Sequence, residues 1–464
     1  MSETKKNDLL DLSIEGLSNL GAGIAHAEDG RVVFVQNAVT GDRVKAKIIK
    51  VNRSYLVART EKVVSSSPER VENDCPAKGC GGCIYRNLSY EAELKEKRAY
   101  IKGAFQKAGL SVEVEDVRTT GVIEGYRNKA QYPVQKGKNG LEAGFFAAYS
   151  HRVVSCEDCR LQPSVFGEIV AFSTAFCNEN GVSAYDEVSG KGLLRHIFLR
   201  MGKKTGEILV CLVLNGKKLP QEELFAKELV DRFPNVKSVQ ISTNEENTNV
   251  VLGDSFRVIA GRDYIEDILC GLRFRISAGS FYQVNHDACE MLYGIAKEKA
   301  DLCGGETLLD LYCGIGTIGL SMAKDATRVV GIEIVPEAIA CAKENAKANG
   351  IENAHFFCGD AGETEKLLQN AERELGDLSG ATVILDPPRK GCAEELLHYL
   401  AKRGFTRIVY VSCNPDTLAR DCRALSDLGY QVGKVTPVDL FPRTGHVESV
   451  VLLSRNDSKD SQEG

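Results

Sequence analysis

Beyond Phe281 the chain alternates short apolar runs with helix-patterned segments, and few folds accept that alternation. Apolar runs of strand length read at 307–312, 328–334, 354–358, 381–385, 407–412 and 447–454. Between them, 336–349, 393–402 and 415–428 read as helices. Pro336 and Pro415 sit at first turns, and Gly350 and Gly429 serve as stops. Strands joined through helices cannot pair as simple hairpins, so the segment predicts a doubly wound, mainly parallel sheet. Such a sheet takes its ligands along the carboxyl ends of its strands, and the chemistry is to be sought there.

The rest of the chain reads differently. Runs at 10–14, 31–35, 42–51 and 55–62, punctuated by Gly21, Gly23, Gly30 and Gly41, predict a small β-barrel of the oligonucleotide-binding type. Within 31–62 the only acids are Asp42 and Glu61, although the whole chain carries a net charge of −6. That balance argues against an unspecific nucleic-acid coat and leaves room for a local basic face. Arg43, Lys45, Lys47 and Lys50 are its candidate phosphate contacts. Ser65, Ser66, Ser67 and Pro68 read as a linker and 90–108 as a helix. From 119 to 279, β-type runs such as 195–200, 208–214 and 238–243 predict a mostly β central domain. Its stretch Tyr126-Arg-Asn-Lys-Ala-Gln-Tyr132 interleaves aromatics with cations, a pattern suited to stacking on single-stranded bases.

A length of 464 residues suggests about three domains. We expect boundaries at 1–62, 63–280 and 281–456, with 457–464 a frayed tail and helix 90–108 packing on the C-terminal domain. No apolar run is long enough to span a membrane and residues 1–10 are polar, so a cytoplasmic protein with no membrane partner is expected. No obligate protein partner is inferred.

The run Leu308-Leu-Asp-Leu-Tyr-Cys-Gly-Ile-Gly-Thr317 is a strand ending in a glycine turn, which lets backbone pass close to a ligand. Glu333, at the end of the next strand, can take both hydroxyls of an adenosine ribose. Gly314-Ile-Gly316-Thr-Ile-Gly319 matches G-x-G-x-x-G, which does not by itself separate a nicotinamide dinucleotide from S-adenosylmethionine. Asp310 and the Asp-Leu-Tyr-Cys-Gly-x-Gly context resemble the first motif of class I methyltransferases. In that setting Tyr312 would lie against the cofactor and Asp360 would reach the adenine edge. Asp386-Pro-Pro-Arg389 follows the fourth strand, where the prolines fix a carboxylate at the rim.

Val411-Ser-Cys-Asn-Pro415 ends the fifth strand at the same rim. A helix starting at Pro415 would lower the Cys413 thiol pKa toward neutrality and supply thiolate. In His446-Val-Glu448, period-two alternation would put His446 and Glu448 on one strand face, with Glu448 a proton acceptor. The plain alternative is an edge-strand carboxylate in water. A thiolate, a methyl donor and a carboxylate base around one pyrimidine fit C5 methylation of uracil. The thiolate adds at C6, C5 becomes nucleophilic, and a base removes the C5 proton. A target uridine would have to be flipped out of its stack.

Sixteen cysteines are many for a chain without an export signal. Cys75, Cys80 and Cys83 form a dense trio, and Cys156 or Cys159 offers a fourth thiol. A trio plus a distant cysteine fits a [4Fe–4S] cluster, and zinc held by four thiolates fits the same counting.

Taken together, residues 280–454 resemble the RNA uracil-5-methyltransferases, and the cysteine cluster and N-terminal barrel extend the resemblance over almost the whole chain. It is carried by Phe281-Tyr-Gln283-Val-Asn285, the glycine turn, Asp386-Pro-Pro, Ser412-Cys-Asn-Pro415 and His446-Val-Glu448. The resemblance implies S-adenosylmethionine contacts from Gln283, Tyr312, Glu333 and Asp386, with Cys413 as nucleophile and Glu448 as base. It makes the N-terminal barrel similar to the TRAM module, an RNA-binding appendage. It favours an iron–sulfur cluster over zinc, with Cys159 matching the fourth ligand and Cys156 a nearby competitor. Members with such clusters often modify large-subunit (23S) ribosomal RNA, so ribosomal RNA is favoured over transfer RNA. The cluster would be structural, since methyl transfer requires no electron. A cytosine-5 enzyme fits less well, because its nucleophile usually follows Pro or Thr. A non-catalytic RNA-binding iron–sulfur scaffold is the alternative from another class.

Overall fold

A computed structural model describes residues 4–360 and 363–455, so the expected tail at 457–464 lies outside the described residues. The N-terminal sheet contains β1 (Leu9–Ser13), β2 (Gly16–Leu17), β3 (Gly23–His26), β4 (Val32–Gln36), β5 (Arg43–Val51) and β6 (Tyr55–Ser65). Its order is β1-β5-β6-β4-β3-β2. β1 and β2 are nearly continuous in the chain yet stand at opposite ends of that order. The Glu15 N–H between them donates to Ile24 O at 2.8 Å, and this curls the sheet onto itself as a barrel. Alternation sorts β5 as far as Ile48: Val44, Ala46 and Ile48 are buried with Leu12, Val33 and Leu56, whereas Arg43 and Lys45 face out; a register shift between Ile48 and Lys50 then turns Lys50 outward as well. β2 and β3 are too short to register as periodic runs in the sequence.

Next come α1 (Tyr90–Lys107), β7 (Lys129–Gly137), β8 (Gly140–Phe146), β9 (Val153–Ser155) and α2 (Ser164–Glu179). They are followed by β10 (Leu194–Met201), β11 (Ile208–Leu214), α3 (Glu222–Arg232), β12 (Val236–Thr243), β13 (Ser255–Gly261), β14 (Tyr264–Leu269) and β15 (Leu272–Ser277). Seven of these strands form one sheet in the order β13-β12-β11-β10-β7-β8-β9, and β14 pairs with β15. Every residue of β11 is buried, as its unbroken apolar run requires. Helices α2 and α3 cover one face through Phe166, Ile169, Val170 and Phe225. The central region is mostly β, as its sequence pattern predicts, with two helices laid on its sheet. α2 lacks a capping side chain and is apolar along much of its length, so its sequence does not announce a helix.

The C-terminal unit adds α4 (His286–Ala300), β16 (Thr307–Leu311), α5 (Thr317–Ser321), β17 (Arg328–Glu333), α6 (Pro336–Ala348), β18 (Ala354–Cys358) and α7 (Thr364–Leu375). It closes with β19 (Thr382–Leu385), α8 (Glu394–Arg403), β20 (Arg407–Ser412), α9 (Pro415–Asp427), β21 (Gln431–Val438) and β22 (Glu448–Ser454). The sheet order is β18-β17-β16-β19-β20-β22-β21, and only β22 runs against the others. Successive residues serve opposite faces. Leu308 packs with Leu292 and Ile339 of α4 and α6, while Leu309 packs with Leu397 and Leu418 of α8 and α9. This is the doubly wound architecture, with its switch point between β16 and β19. Ile101, Ala104 and Phe105 place α1 in the second of these cores. Among the described residues, no helix is long and apolar enough to cross a membrane.

Polar contacts fix α1 as firmly as apolar ones. Lys97 Nζ donates to Glu93 Oε1 and Asp439 Oδ1, both at 2.7 Å, and to Phe441 O at 3.1 Å. All three charged side chains are buried. Tyr90 Oη donates to Asp439 Oδ2 at 2.8 Å. The group clamps the loop 439–446, which leads into β22. Lys97→Met would leave two buried carboxylates without their shared cation. The expected destabilisation is about 3–5 kcal/mol, read as a lower denaturation midpoint of the purified protein.

Candidate active site

The first wall of the site is the turn after β16. Tyr312 takes a φ of 68°, rare for a residue with a side chain. Gly314 and Gly316 follow with φ of 54° and 82°. At Gly319 the N–H donates to Asp310 Oδ2 at 2.8 Å, and an added Cβ there would also meet that oxygen at 2.8 Å. Burial pushes the Asp310 carboxyl up to about 7, against the Gly319 N–H that favours its charge. Glu333 ends β17 and ties the turn down: Oε2 accepts from Gly314 N–H at 3.1 Å and Oε1 from Val335 N–H at 3.0 Å. Ile334 and Val335 beside it are exposed apolar side chains. Asp360 lies exposed beyond the end of β18.

Gln283 is buried just before α4, whose N-terminus is capped by Asn285. The Gln283 carbonyl accepts from Asn128 Nδ2 at 3.0 Å, and Asn285 Nδ2 donates to Leu440 O at 3.1 Å. Further along α4, Tyr293 Oη and Thr317 Oγ1 lie 2.8 Å apart, joining the helix to the turn of the first wall.

The second wall gathers the reactive groups. Asp386 directly follows β19 and Cys413 directly follows β20, and β22, running the other way, begins with Glu448. Ser412 pairs with Ser449, so the residue after one strand and the residue starting the other meet at one rim. The Asp386-Pro-Pro-Arg389 turn is stapled to the Cys413 elbow. Asn414 Nδ2 donates to Arg389 O at 2.9 Å, and Thr417 Oγ1 donates to the same carbonyl at 3.2 Å. Asn414 Oδ1 also caps α9 by accepting the Asp416 N–H. The Arg389 guanidinium adjoins the Cys413 sulfur and lies 3.2 Å from His446 Nε2.

Electrostatics here departs from the sequence expectation. Burial, then Glu448, then Asp386 push the Cys413 thiol up to about 11, and Arg389 opposes them. The helix N-terminus therefore does not bring the free thiol to neutrality, because two carboxylates and desolvation outweigh it. Glu448 is 3% exposed and its carboxyl is held well above the usual range by burial, with Asp386 adding to the effect and Arg389 countering it. Burial also pushes Asp386 up to about 7. Glu448 is thus no edge carboxylate in water: β22 lies between β20 and β21. His446 is exposed and precedes β22, so it does not share a strand face with Glu448.

Cys75, Cys80, Cys83, Cys156 and Cys159 all line one cavity of about 270 Å³. Gly81 N–H donates to Phe146 O at 2.9 Å, and a Cβ at Gly81 would collide with the Ala148 backbone at 2.8 Å, so glycine permits this docking. The two distant thiols differ. The Cys156 thiol and the N–H groups of Leu161 and Gln162 favour a thiolate at Cys159, down to about 7. Cys156, the donor to that sulfur, is pushed up instead. Burial pushes Cys83 up to about 11, against the neighbouring Arg86 guanidinium.

The proposed stacking stretch does not present its rings. Tyr126 and Tyr132 are buried. Tyr126 Oη donates to Pro442 O at 2.9 Å, and Tyr132 packs on Phe145 with centroids 4.8 Å apart. Tyr126 ties the approach to β7 to the loop 439–446 and Tyr132 fills the central core, which alternation with Arg127 and Lys129 does not reveal. The exposed aromatic near the site is instead Phe281, at 63%. Arg389 was present in the Asp-Pro-Pro-Arg run, but its approach to Cys413 depends on the Asn414 staple, which no spacing announces.

Comparison with known proteins follows the same outline. The profile of the family described as tRNA (Uracil-5-)-methyltransferase matches residues 89–456, and that of the TRAM domain matches residues 3–60. The chain is 42% identical over 453 residues to an uncharacterized RNA methyltransferase of Halalkalibacterium halodurans, covering 97% of each. It is 40% identical over 454 residues to one of Bacillus cereus, again covering 97% of each. Among solved structures it is similar to the Pyrococcus abyssi tRNA (uracil-54, C5)-methyltransferase in complex with S-adenosyl-L-homocysteine. Identity is 29%, coverage is 96% of this chain and 100% of that one, and the TM-score is 0.76.

With the Cys413 thiol near 11, its alkylation by iodoacetamide in the ligand-free protein should quicken about tenfold per pH unit between about pH 7 and 9, without levelling. Peptide mass spectrometry reads this at Cys413 alone. A plateau near neutrality would show that the helix N-terminus dominates after all.

Proposed function

The chain belongs to the tRNA (uracil-5-)-methyltransferase family, and from that premise we propose that it methylates C5 of a uridine in RNA, using S-adenosylmethionine, through a covalent bond between Cys413 and uracil C6. The observation that carries this reading is the meeting of Cys413, Glu448 and Asp386 at one strand-end rim, beside the glycine turn of residues 312–316. Gln283, Tyr312, Glu333 and Asp386 would hold the cofactor, with Gly314 and Gly316 letting it approach the backbone and Asp360 meeting the adenine edge.

S-adenosylmethionine supplies an electrophilic methyl group and a sulfonium charge. Cys413, having lost its proton, would add to C6 and drive electron density onto C5, which would take the methyl group as the sulfonium S–CH3 bond breaks and S-adenosylhomocysteine leaves. Glu448 takes the C5 proton, and elimination breaks the C6–S bond and restores the thiolate. Arg389 stabilises the ionised forms of Cys413 and Glu448, which the buried site otherwise disfavours. Asp386 bonds the base or the cofactor. The target uridine reaches Cys413 flipped out of its stack. The outward face of β5, with Arg43, Lys45, Lys47 and Lys50, would hold the RNA backbone.

Cys75, Cys80, Cys83 and Cys159 are proposed to hold a [4Fe–4S] cluster with a structural role. A cavity of about 270 Å³ among the thiols suits a multi-atom group better than a lone zinc ion, and Cys159 is the fourth ligand that the family resemblance implies. This cysteine set favours ribosomal RNA as substrate. The Pyrococcus abyssi likeness supports a second reading, the same chemistry on transfer RNA. Family membership weighs against a non-catalytic scaffold.

Nucleoside and fragment mass spectrometry after incubation with S-adenosylmethionine and unmodified ribosomal and transfer RNA tests the reading. 5-Methyluridine should appear in ribosomal fragments and vanish with Cys413→Ala; 5-methyluridine in transfer RNA alone would overturn the substrate and keep the reaction. RNA carrying 5-fluorouridine should trap the wild type covalently but not Cys413→Ala. Glu448→Gln should accumulate the protein–RNA adduct while turnover falls by about 10²–10⁴. Normal turnover in that variant would assign the proton to another base.

A further inference from the structure

The cysteine cavity has a charge pattern of its own. Its lining includes Arg86, Arg127, Lys129 and Arg160 and not one carboxylate. Arg86 is only 5% exposed. One of its nitrogens, Nη1, is anchored outward, donating to Asp74 Oδ1 at 3.2 Å and Glu124 Oε1 at 2.8 Å. The other two, Nε and Nη2, are buried and meet no oxygen or nitrogen acceptor among the described residues; the acceptor the guanidinium faces is the Cys83 sulfur. Buried N–H groups of a charged side chain are seldom left unmade, so each such group calls for an explanation. Here the explanation lies in what the cavity holds. Four thiolates around an iron–sulfur core leave the assembly anionic, and one-electron reduction makes it more so.

We propose that Arg86 is the charge-compensating residue of this centre, its Nε and Nη2 donating hydrogen bonds to cluster sulfur while Asp74 and Glu124 hold the guanidinium from outside. This rests on the iron–sulfur reading of the cavity. Such donors stabilise the more negative, reduced state, so they raise the reduction potential and slow loss of the cluster. Arg86 is neither a ligand nor part of the methyl-transfer rim. Its contribution is separable from catalysis and readable without RNA.

The test uses the full-length protein purified without oxygen, as wild type, Arg86→Gln and Arg86→Lys. Iron, zinc and acid-labile sulfide are measured per chain, the midpoint potential by spectroelectrochemistry, and cluster loss by the decay of visible absorbance in chelator. Arg86→Gln should move the midpoint to more negative values and lose its cluster about tenfold faster, the effect of one charge-assisted hydrogen bond. Arg86→Lys keeps the charge and should lie between the two. If Arg86→Gln does not fold, the Arg86→Lys midpoint decides: a value equal to wild type, with equal decay, overturns the proposal. A wild type that holds iron and sulfide, with both variants matching its midpoint and decay, overturns the Arg86 assignment alone. A wild type with zinc or without iron overturns the cluster reading and this inference together.

Discussion

Lys97 holds together a loop that the rest of the molecule converges on. Its ammonium binds Asp439 at the loop's start and Glu93 on its own helix, and Glu93 in turn accepts the Arg443 N–H at 2.7 Å. Around the same eight residues, Ile84 and Tyr85 donate their N–H groups to Arg443 O, Tyr126 donates to Pro442 O, and Asn285 donates to Leu440 O. Gly445 lies so close to Asn19 O that a Cβ would approach it to 2.5 Å. The barrel, the cysteine segment, α1, the approach to the central sheet and the start of α4 therefore all bear on one loop. Arg443 accepts a φ of 71° within it. Buried ion groups add little net stability, because desolvation offsets attraction. What this one does is fix a single path for the chain that delivers Glu448 to the rim.

The rim is built to favour neutral forms. Desolvation raises Cys413, Asp386 and Glu448, neighbouring carboxylates add to the effect at Cys413 and Glu448, and Arg389 counters it at both. Groups so placed respond strongly to added positive charge, since at low effective dielectric a nearby cation acts with little screening. On the proposed reading, a sulfonium donor brings that charge to the carboxylates when the reaction needs them ionised. On that reading the free protein holds Cys413 as a thiol, and the burial that disfavours its charge would also shield the adduct from water.

Much of this was legible in the sequence, for a geometric reason. In a parallel sheet every catalytic element sits at the end of an apolar run, so Asp386, Cys413 and Glu333 could be placed at one rim from strand positions alone. The cysteine trio was equally plain, because thiols so dense in sequence must lie close in space. Other features depended on long-range contact. α2 is apolar on too many sides to show helical period, and α4 draws its burial from sheet faces that its own pattern does not name. Tyr126 and Tyr132 look like a stacking surface until their neighbours fill in. The sign of the thiol shift was missed because a helix N-terminus is visible in sequence, whereas the two opposing carboxylates arrive from β19 and β22.

The cysteine cavity and the catalytic rim are linked through the backbone. Cys83 lines the cavity, and the very next N–H, that of Ile84, donates to Arg443 O at 3.0 Å. Arg443 Nη1 reaches back to Leu88 O at 3.0 Å. The segment from Cys83 to Leu88 is thus fastened at one end by whatever gathers the thiols and along its length by the loop that carries Glu448. A small knot of sulfur can have value to a methyltransferase in this arrangement without any electron moving. Residues 75–88 contribute neither helix nor strand, and a segment lacking such ladders needs another source of order. On the proposed reading, thiol ligation on one side and the Lys97 group on the other supply it, and the position of Glu448 would depend on both.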